Sequence, residues 1–97
     1  MATYIVLTSW TQKGIENVKE SPDRLDAAKK GFQAAGAELK EFYLVMGQYD
    51  MVIVAEAPDD ETVSKLALII GSAGAVRTET LRAYTEDEYR KIIAALP

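Results

Sequence analysis

Two β-type runs joined by a four-residue turn, each flanked by a helical pattern, restrict this chain to few architectures. Ala37 to Met46 and Met51 to Ala57 are rich in aromatic and β-branched residues, and Gly47-Gln48-Tyr49-Asp50 between them has turn composition. Upstream, Thr3 to Trp10 reads as another strand. The polar stretch Thr11 to Glu20, with Gly14 inside it, reads as a loop or a short helical turn. Ser21 is expected to cap a helix that has Pro22 at its first position, Leu25, Ala28, Phe32 and Ala35 on one stripe and Gly36 at its end. Downstream, Pro58 ends the third strand and Asp59-Asp60-Glu61 supplies the acids favoured at a helix start. Val63, Leu66, Ala67 and Ile70 form that second helix's stripe, which stops at Gly71-Ser72-Ala73-Gly74. Ala75 to Tyr84 is a fourth strand. Thr85 to Glu88 fits a capping box for a C-terminal helix whose stripe is Tyr89, Ile92, Ile93 and Leu96.

The order is βαββαβ plus a terminal helix: an α+β, ferredoxin-like pattern spanning residues 1–97 as one domain. Right-handed crossovers put both inter-strand helices on one face of a four-stranded antiparallel sheet. Strand alternation nevertheless makes both faces apolar. Ile5 and Leu7 oppose Tyr4, Val6, Thr8 and Trp10; Phe42, Leu44 and Met46 oppose Leu39, Tyr43 and Val45; Val52 and Val54 oppose Met51, Ile53 and Ala55. A face without helices should be polar if it meets water. The pattern therefore predicts a second copy packed sheet to sheet, a homodimer approaching a closed α/β barrel, with larger homo-oligomers also open. The alternative is that the C-terminal helix folds back over the bare face. Leu68 and Ile69 lie off their helix's stripe and extend either an interface or the core.

The residues that are missing narrow the chemistry. The sequence has no cysteine and no histidine, so disulfides, thiol nucleophiles, Ser-His-Asp triads and imidazole ligation of haem or zinc are excluded. No acidic run has calcium-loop spacing, so neither metal nor cofactor is expected. A formal charge of −4 argues against nucleic acid. The longest apolar run, Leu66 to Ile70, is far too short to span a membrane. Met1 to Tyr4 has no charged region ahead of an apolar stretch, and a cytoplasmic protein is expected.

Topology brings four features to one end of the sheet: Trp10 and the loop after it, the Gly47 to Asp50 turn, the Gly71 to Gly74 loop, and Arg77 with Thr78. An aromatic wall, a carboxylate and a guanidinium are materials for a small-molecule pocket. The candidate ligand-binding residues are Trp10, Tyr43, Gly47, Tyr49, Asp50, Arg77 and Thr78, with Asp50 and Tyr49 the candidates for moving protons. Simpler readings stand beside these. Gly47 and Asp50 suit a plain hairpin turn, Asp50 and Arg77 an ion pair, and Trp10 a core position.

The residues also follow a known series: Thr3 to Thr8, Trp10-Thr11, Gly14, Ser21-Pro22, Arg24-Leu25, Glu41-Phe42-Tyr43, Met46 to Asp50, Glu56 to Asp60 and Arg77 to Thr85. Together they resemble the GYD domain family, whose Gly-x-Tyr-Asp element is Gly47, Tyr49 and Asp50 here. The resemblance covers nearly the whole chain. It implies a ferredoxin-like subunit of the dimeric α/β barrel group, which includes cofactor-independent monooxygenases, haem enzymes, lactone isomerases and ligand-sensing domains. The family itself has no agreed reaction. The leading expectation is a homodimer binding a small organic metabolite. The alternatives are a cofactor-independent oxygenase or isomerase acting on an aromatic or enolisable substrate, and a structural or partner-interaction module.

Overall fold

Each strand finds its place through the alternation already legible in the sequence. In the computed structural model, which describes residues 1–97, β1 (Ala2–Trp10), β2 (Glu38–Leu44), β3 (Met51–Ala57) and β4 (Val76–Ala83) form one antiparallel sheet in the order β2-β3-β1-β4. Helices α2 (Ser21–Ala34) and α3 (Asp60–Ser72) make the two crossovers. The core lies between them and the sheet. Tyr4, Val6, Ile53, Ala55 and Ala57 meet Phe32 of α2 and Val63 and Leu66 of α3. This is the ferredoxin-like arrangement that the pattern predicts. No helix is long and apolar enough to cross a membrane.

Local chemistry sets the helix boundaries. α2 ends in a Schellman turn: Ala37 N–H donates to Phe32 O at 2.9 Å and Gly36 N–H to Gln33 O at 3.1 Å. Ala37 and Phe32 are both buried there, so the turn also closes the core. Asp59 caps α3 by accepting from Thr62 Oγ1 at 2.7 Å and Thr62 N–H at 2.8 Å; the hydroxyl first, and then the amide, hold its carboxyl below the usual range. The Thr85–Glu88 capping box opens a fourth helix, α4 (Glu86–Ala94).

Of the two readings of Thr11 to Glu20, the helical one holds: a short helix α1 (Gln12–Glu16) and a 3₁₀ turn (Val18–Glu20) run straight into α2. Two local expectations need correcting. Ser21 already has helical backbone and caps nothing, because the preceding turn supplies the helix entry. Thr11 is the residue that caps, its Oγ1 accepting from Gly14 N–H at 3.1 Å. In β2 a bulge at Lys40 lets Leu39 pair with Ala55 and Phe42 with Ile53. The extra residue shifts the alternation, so Leu39 shares the helix face with Phe42 and leaves Tyr43 on the other.

The second face of the sheet is open and largely apolar. Ile5, Leu7, Val52 and Val54 are half-buried on it, with Leu81 and Tyr43 exposed at its sides. α4 does not shelter its own stripe: none of its residues is buried, and Tyr89, Ile92, Ile93 and Leu96 remain 46–62 % exposed. The chain is elongated, 52 × 31 × 18 Å. Its radius of gyration is 14.6 Å, against about 13 Å for a compact domain of this length.

Tyr4 is the largest fully buried side chain, and its hydroxyl donates to Asp60 at the start of α3. Burial, reinforced by the Asp60 carboxylate, pushes this phenol up to about 12. The raised value fixes the sign of the linkage. Its stabilising contribution is complete below the ordinary tyrosine pKa of about 10 and is lost as pH rises through about 12. Alkaline titration of the five tyrosines is expected to show a late phase near pH 12, coinciding with unfolding and absent from Tyr4→Phe. Release of every phenol together near its ordinary value, with the fold intact, would contradict this.

A cavity at the Trp10 end of the helix face

The end of β1 and the segment after it are tied to the backbone carbonyls of the turn before β4. Thr11 N–H donates to Ala75 O at 3.0 Å, Thr11 Oγ1 to Gly74 O, and Lys13 Nζ to Ala73 O at 3.1 Å. Gly14 sits so close to the start of β4 that a Cβ there would lie 1.9 Å from Ala75 O and 3.1 Å from Trp10 Cδ1. Arg24 reaches back from α2 to the α1 corner, donating to Asn17 O at 3.1 Å and Gly14 O at 3.5 Å. These contacts give physical reasons for Trp10-Thr11, Gly14 and Arg24 standing where they do.

Between α2, α3 and the sheet lies a cavity of about 600 Å³ whose lining includes Trp10 and Ala75 at this end. Its wall is mostly apolar: Leu25, Ala28 and Phe32 from α2, Leu66, Ala67 and Ile70 from α3, and Phe42, Met51, Ile53 and Val76 from the sheet. Arg24 is the one charged residue in the lining, and Thr8, Trp10, Ser21 and Thr78 supply polar groups. Thr8 Oγ1 and Trp10 Nε1 are enclosed in this wall without a hydrogen-bond partner. Buried polar atoms are nearly always paired, so two orphans beside one cavity are conspicuous.

The seven candidate residues gather at one end of the sheet but on two sides of it. Trp10 and Thr78 line the cavity. Tyr43 and Arg77 pair with Val52 and Ser9, whose side chains face the open side. Tyr49 hydroxyl donates to Glu79 on that same side at 2.6 Å, and this bond to an acceptor carboxylate raises its pKa. Gly47, with φ +118°, serves the hairpin conformation, and the place a Cβ would take is open space.

Asp50 lies between the two groups and has a structural task. Its Oδ2 accepts from Trp10 N–H at 3.0 Å, its N–H donates to Thr8 O at 2.9 Å, and its carbonyl accepts from Val45 N–H at 2.8 Å. The Gly-Gln-Tyr-Asp turn is thereby clamped to β1, and Trp10 is set in place through its backbone. Asp50 and Arg77 form no ion pair. The expected single pocket of Trp10, Tyr49, Asp50 and Arg77 is thus divided by the sheet. End-of-strand reasoning collects residues by height; alternation, which assigns faces, must be applied with it.

Thr8, Ser21 and Arg24 are cavity residues absent from the candidate set. Thr8 carried a signal, a hydroxyl in an otherwise apolar alternating row. Arg24 lies beside Leu25 and one helical turn before Ala28, at the edge of the buried stripe. At the opposite end an open cleft holds Tyr4, Asp59, Asp60, Glu61 and Arg82. There Arg82 stacks on Tyr84 at 4.4 Å and Tyr4 at 5.7 Å, and the charges serve capping and packing.

A four-stranded antiparallel sheet with one face covered by two crossover helices and one face open defines a small α+β domain of the ferredoxin-like fold. Residues 4–93 match the GYD domain family, and the chain belongs to it. It is 37 % identical over 84 residues to a Thermus thermophilus protein named glutamine synthetase and cystathionine beta-lyase binding protein, covering 86 % of this chain and 88 % of that one. Among solved structures, a Thermus thermophilus protein superposes with a TM-score of 0.56 at 28 % identity, over 88 % of this chain and 95 % of that one. A feast or famine regulatory protein of M. tuberculosis, solved with L-methionine, gives a TM-score of 0.65 at 16 % identity, over 89 % of this chain and 54 % of that one. The second likeness concerns the fold alone.

Proposed function

We propose that the protein is a homodimeric binding module that takes a small organic molecule in the cavity between α2, α3 and the sheet. The observation that carries this reading is the cavity itself, about 600 Å³ and apolar, with the unpartnered Thr8 Oγ1 and Trp10 Nε1 in its wall. That volume is in the range of small-molecule sites. Trp10 and Thr78 are the binding residues among the original candidates, and Asp50 positions Trp10. Tyr43, Tyr49 and Arg77 belong to the open face, where a second copy would meet them, and the site of action is cytoplasmic. Proton transfer by Asp50 or Tyr49 is the weaker reading, since the first is engaged by a backbone N–H and the second by Glu79.

A library of small organic molecules tests this by thermal shift. A ligand at a hundred times its dissociation constant adds about 2.7 kcal/mol, which is a shift of several degrees. Ala67→Phe, which fills the cavity from α3, is expected to remove that shift while leaving the fold intact. Hits that shift this variant as strongly as the wild type would place the ligand elsewhere, and an absence of hits would overturn the reading.

A second reading has one observation behind it. The Thermus relative is named for binding two enzymes, and the exposed stripe of α4 is a surface that a protein partner would cover. On this reading glutamine synthetase is retained by the wild type in a binding assay and lost with Ile92→Glu. Retention by neither form would remove it.

A further inference from the structure

Resting on that reading of the cavity, we infer that its ligand is an organic acid: an apolar body carrying one carboxylate, with the carboxylate at the Trp10–Arg24 end. Arg24 is the one charged side chain in the wall, and no carboxylate accompanies it there. Its guanidinium is held in place, Nη1 donating to Asn17 O at 3.1 Å and Nη2 to Gly14 O at 3.5 Å. Its one ion pair, to Glu20 four residues earlier, is long at 3.9 Å, and the Glu20 side chain is 70 % exposed, so water screens it. Carbonyl oxygens orient the positive charge without neutralising it. The Nε–H bonds to no protein acceptor and remains available.

Gly14 fixes where this charge lies in the cavity. Its carbonyl accepts from Arg24, and its Cα faces the edge of the Trp10 ring beside Cδ1, the atom bonded to Nε1. The guanidinium and the indole therefore flank the same residue. Ser21, one helical turn before Arg24, lines the same end, and Thr8 follows two residues before Trp10 along the strand. An indole N–H can only donate, so its partner must be an acceptor. The far part of the cavity, toward Phe32, Ile53, Val63 and Leu66, is apolar. A cation would be repelled by Arg24, and a hydrocarbon would leave the donors unpaired at a cost. An anionic acceptor with an apolar body satisfies both ends.

Matched ligands on the unaltered protein test this by isothermal titration calorimetry. Octanoate is compared with 2-nonanone, and 2-naphthoate with 2-acetylnaphthalene; each ketone has a methyl group in place of a carboxylate oxygen. In at least one pair the acid is expected to bind tenfold or more tightly, with a preference that shrinks as salt is added. Arg24→Gln is expected to bring the members of that pair to equal affinity. Because Arg24 also holds α1, the comparison of ligands on the wild type decides the matter even if that variant does not fold. Ketones binding as tightly as their acids would overturn the acid assignment and leave the cavity reading standing. No binding by any of the four at millimolar concentration would overturn both.

Discussion

Gly14→Ala is expected to be the most damaging single-methyl change in the chain. The added carbon would lie 1.9 Å from the carbonyl oxygen of Ala75 and 2.9 Å from its carbon, and both are backbone atoms that no rotamer change can move aside. Relief requires α1 to separate from the start of β4. That movement breaks the bond from Thr11 N–H to Ala75 O and disturbs the edge of the Trp10 ring. Overpacking with nowhere to relax costs about 3 kcal/mol or more. At roughly 4–8 °C per kcal/mol for a domain of this size, Tm should fall by about 12 °C or more. Gly31→Ala is the matched control. Gly31 lies within α2, has open space for 4 Å around the place an added methyl would take, and has no positive φ. There the alanine should raise stability by about 0.5–1 kcal/mol, through helix propensity alone. Equal effects at the two positions would mean that the α1 corner is not closed as described.

The second large effect concerns the open face. Val52 is paired with Leu7 on one side and Tyr43 on the other, so it sits amid the apolar residues that lack a helix above them. Sedimentation of the wild type is expected to give a dimer of the 10.7 kDa protomer. Val52→Asp places a carboxylate in that surface twice, once from each copy. Burying an unpaired charge costs several kcal/mol, so the dimer should weaken by about a thousandfold or more and the variant should sediment as a monomer. A two-fold dimer joined at this face also explains why Ile5, Leu7, Val52 and Val54 are apolar at all. A monomeric wild type at micromolar concentration, or a dimeric Val52→Asp, would contradict it.

Most of the architecture was legible in the sequence because the signals that set it are local. Alternation marked β1, β3 and β4, Gly36 marked the end of α2, and Thr85 with Glu88 marked the start of α4. What escaped depends on contacts between distant segments. α1 is five residues long, too short for periodicity to choose between a loop and a short helical turn, and is held by Ala75 and Arg24. The bulge at Lys40 has no glycine or proline to announce it, yet it reverses the face of Leu39. The cavity exists because of how far α2 and α3 stand apart over the sheet, a distance that no stripe of Leu25, Phe32, Val63 or Leu66 specifies. For the same reason Trp10 was visible as a site residue, whereas Arg24 was visible only as part of a family pattern.

The candidate site separates two roles that the sequence presented as one. Tyr49 and Arg77 face the side where a second protomer is proposed, while Trp10 and Thr78 face the cavity, and Asp50 links the two through the backbone of β1. A ligand at Trp10 is therefore one hydrogen bond away from the hairpin that borders the open face.

Trp10 is the only tryptophan in the chain, so its indole N–H gives a single, unambiguous resonance in a ¹H–¹⁵N spectrum. Titrating the wild type with 2-naphthoate is expected to shift that resonance in a saturable way, and Ala67→Phe is expected to abolish the shift. An indole resonance that stays fixed while the ligand binds, with changes confined to residues such as Val52 and Val54 on the open face, would contradict binding in the cavity.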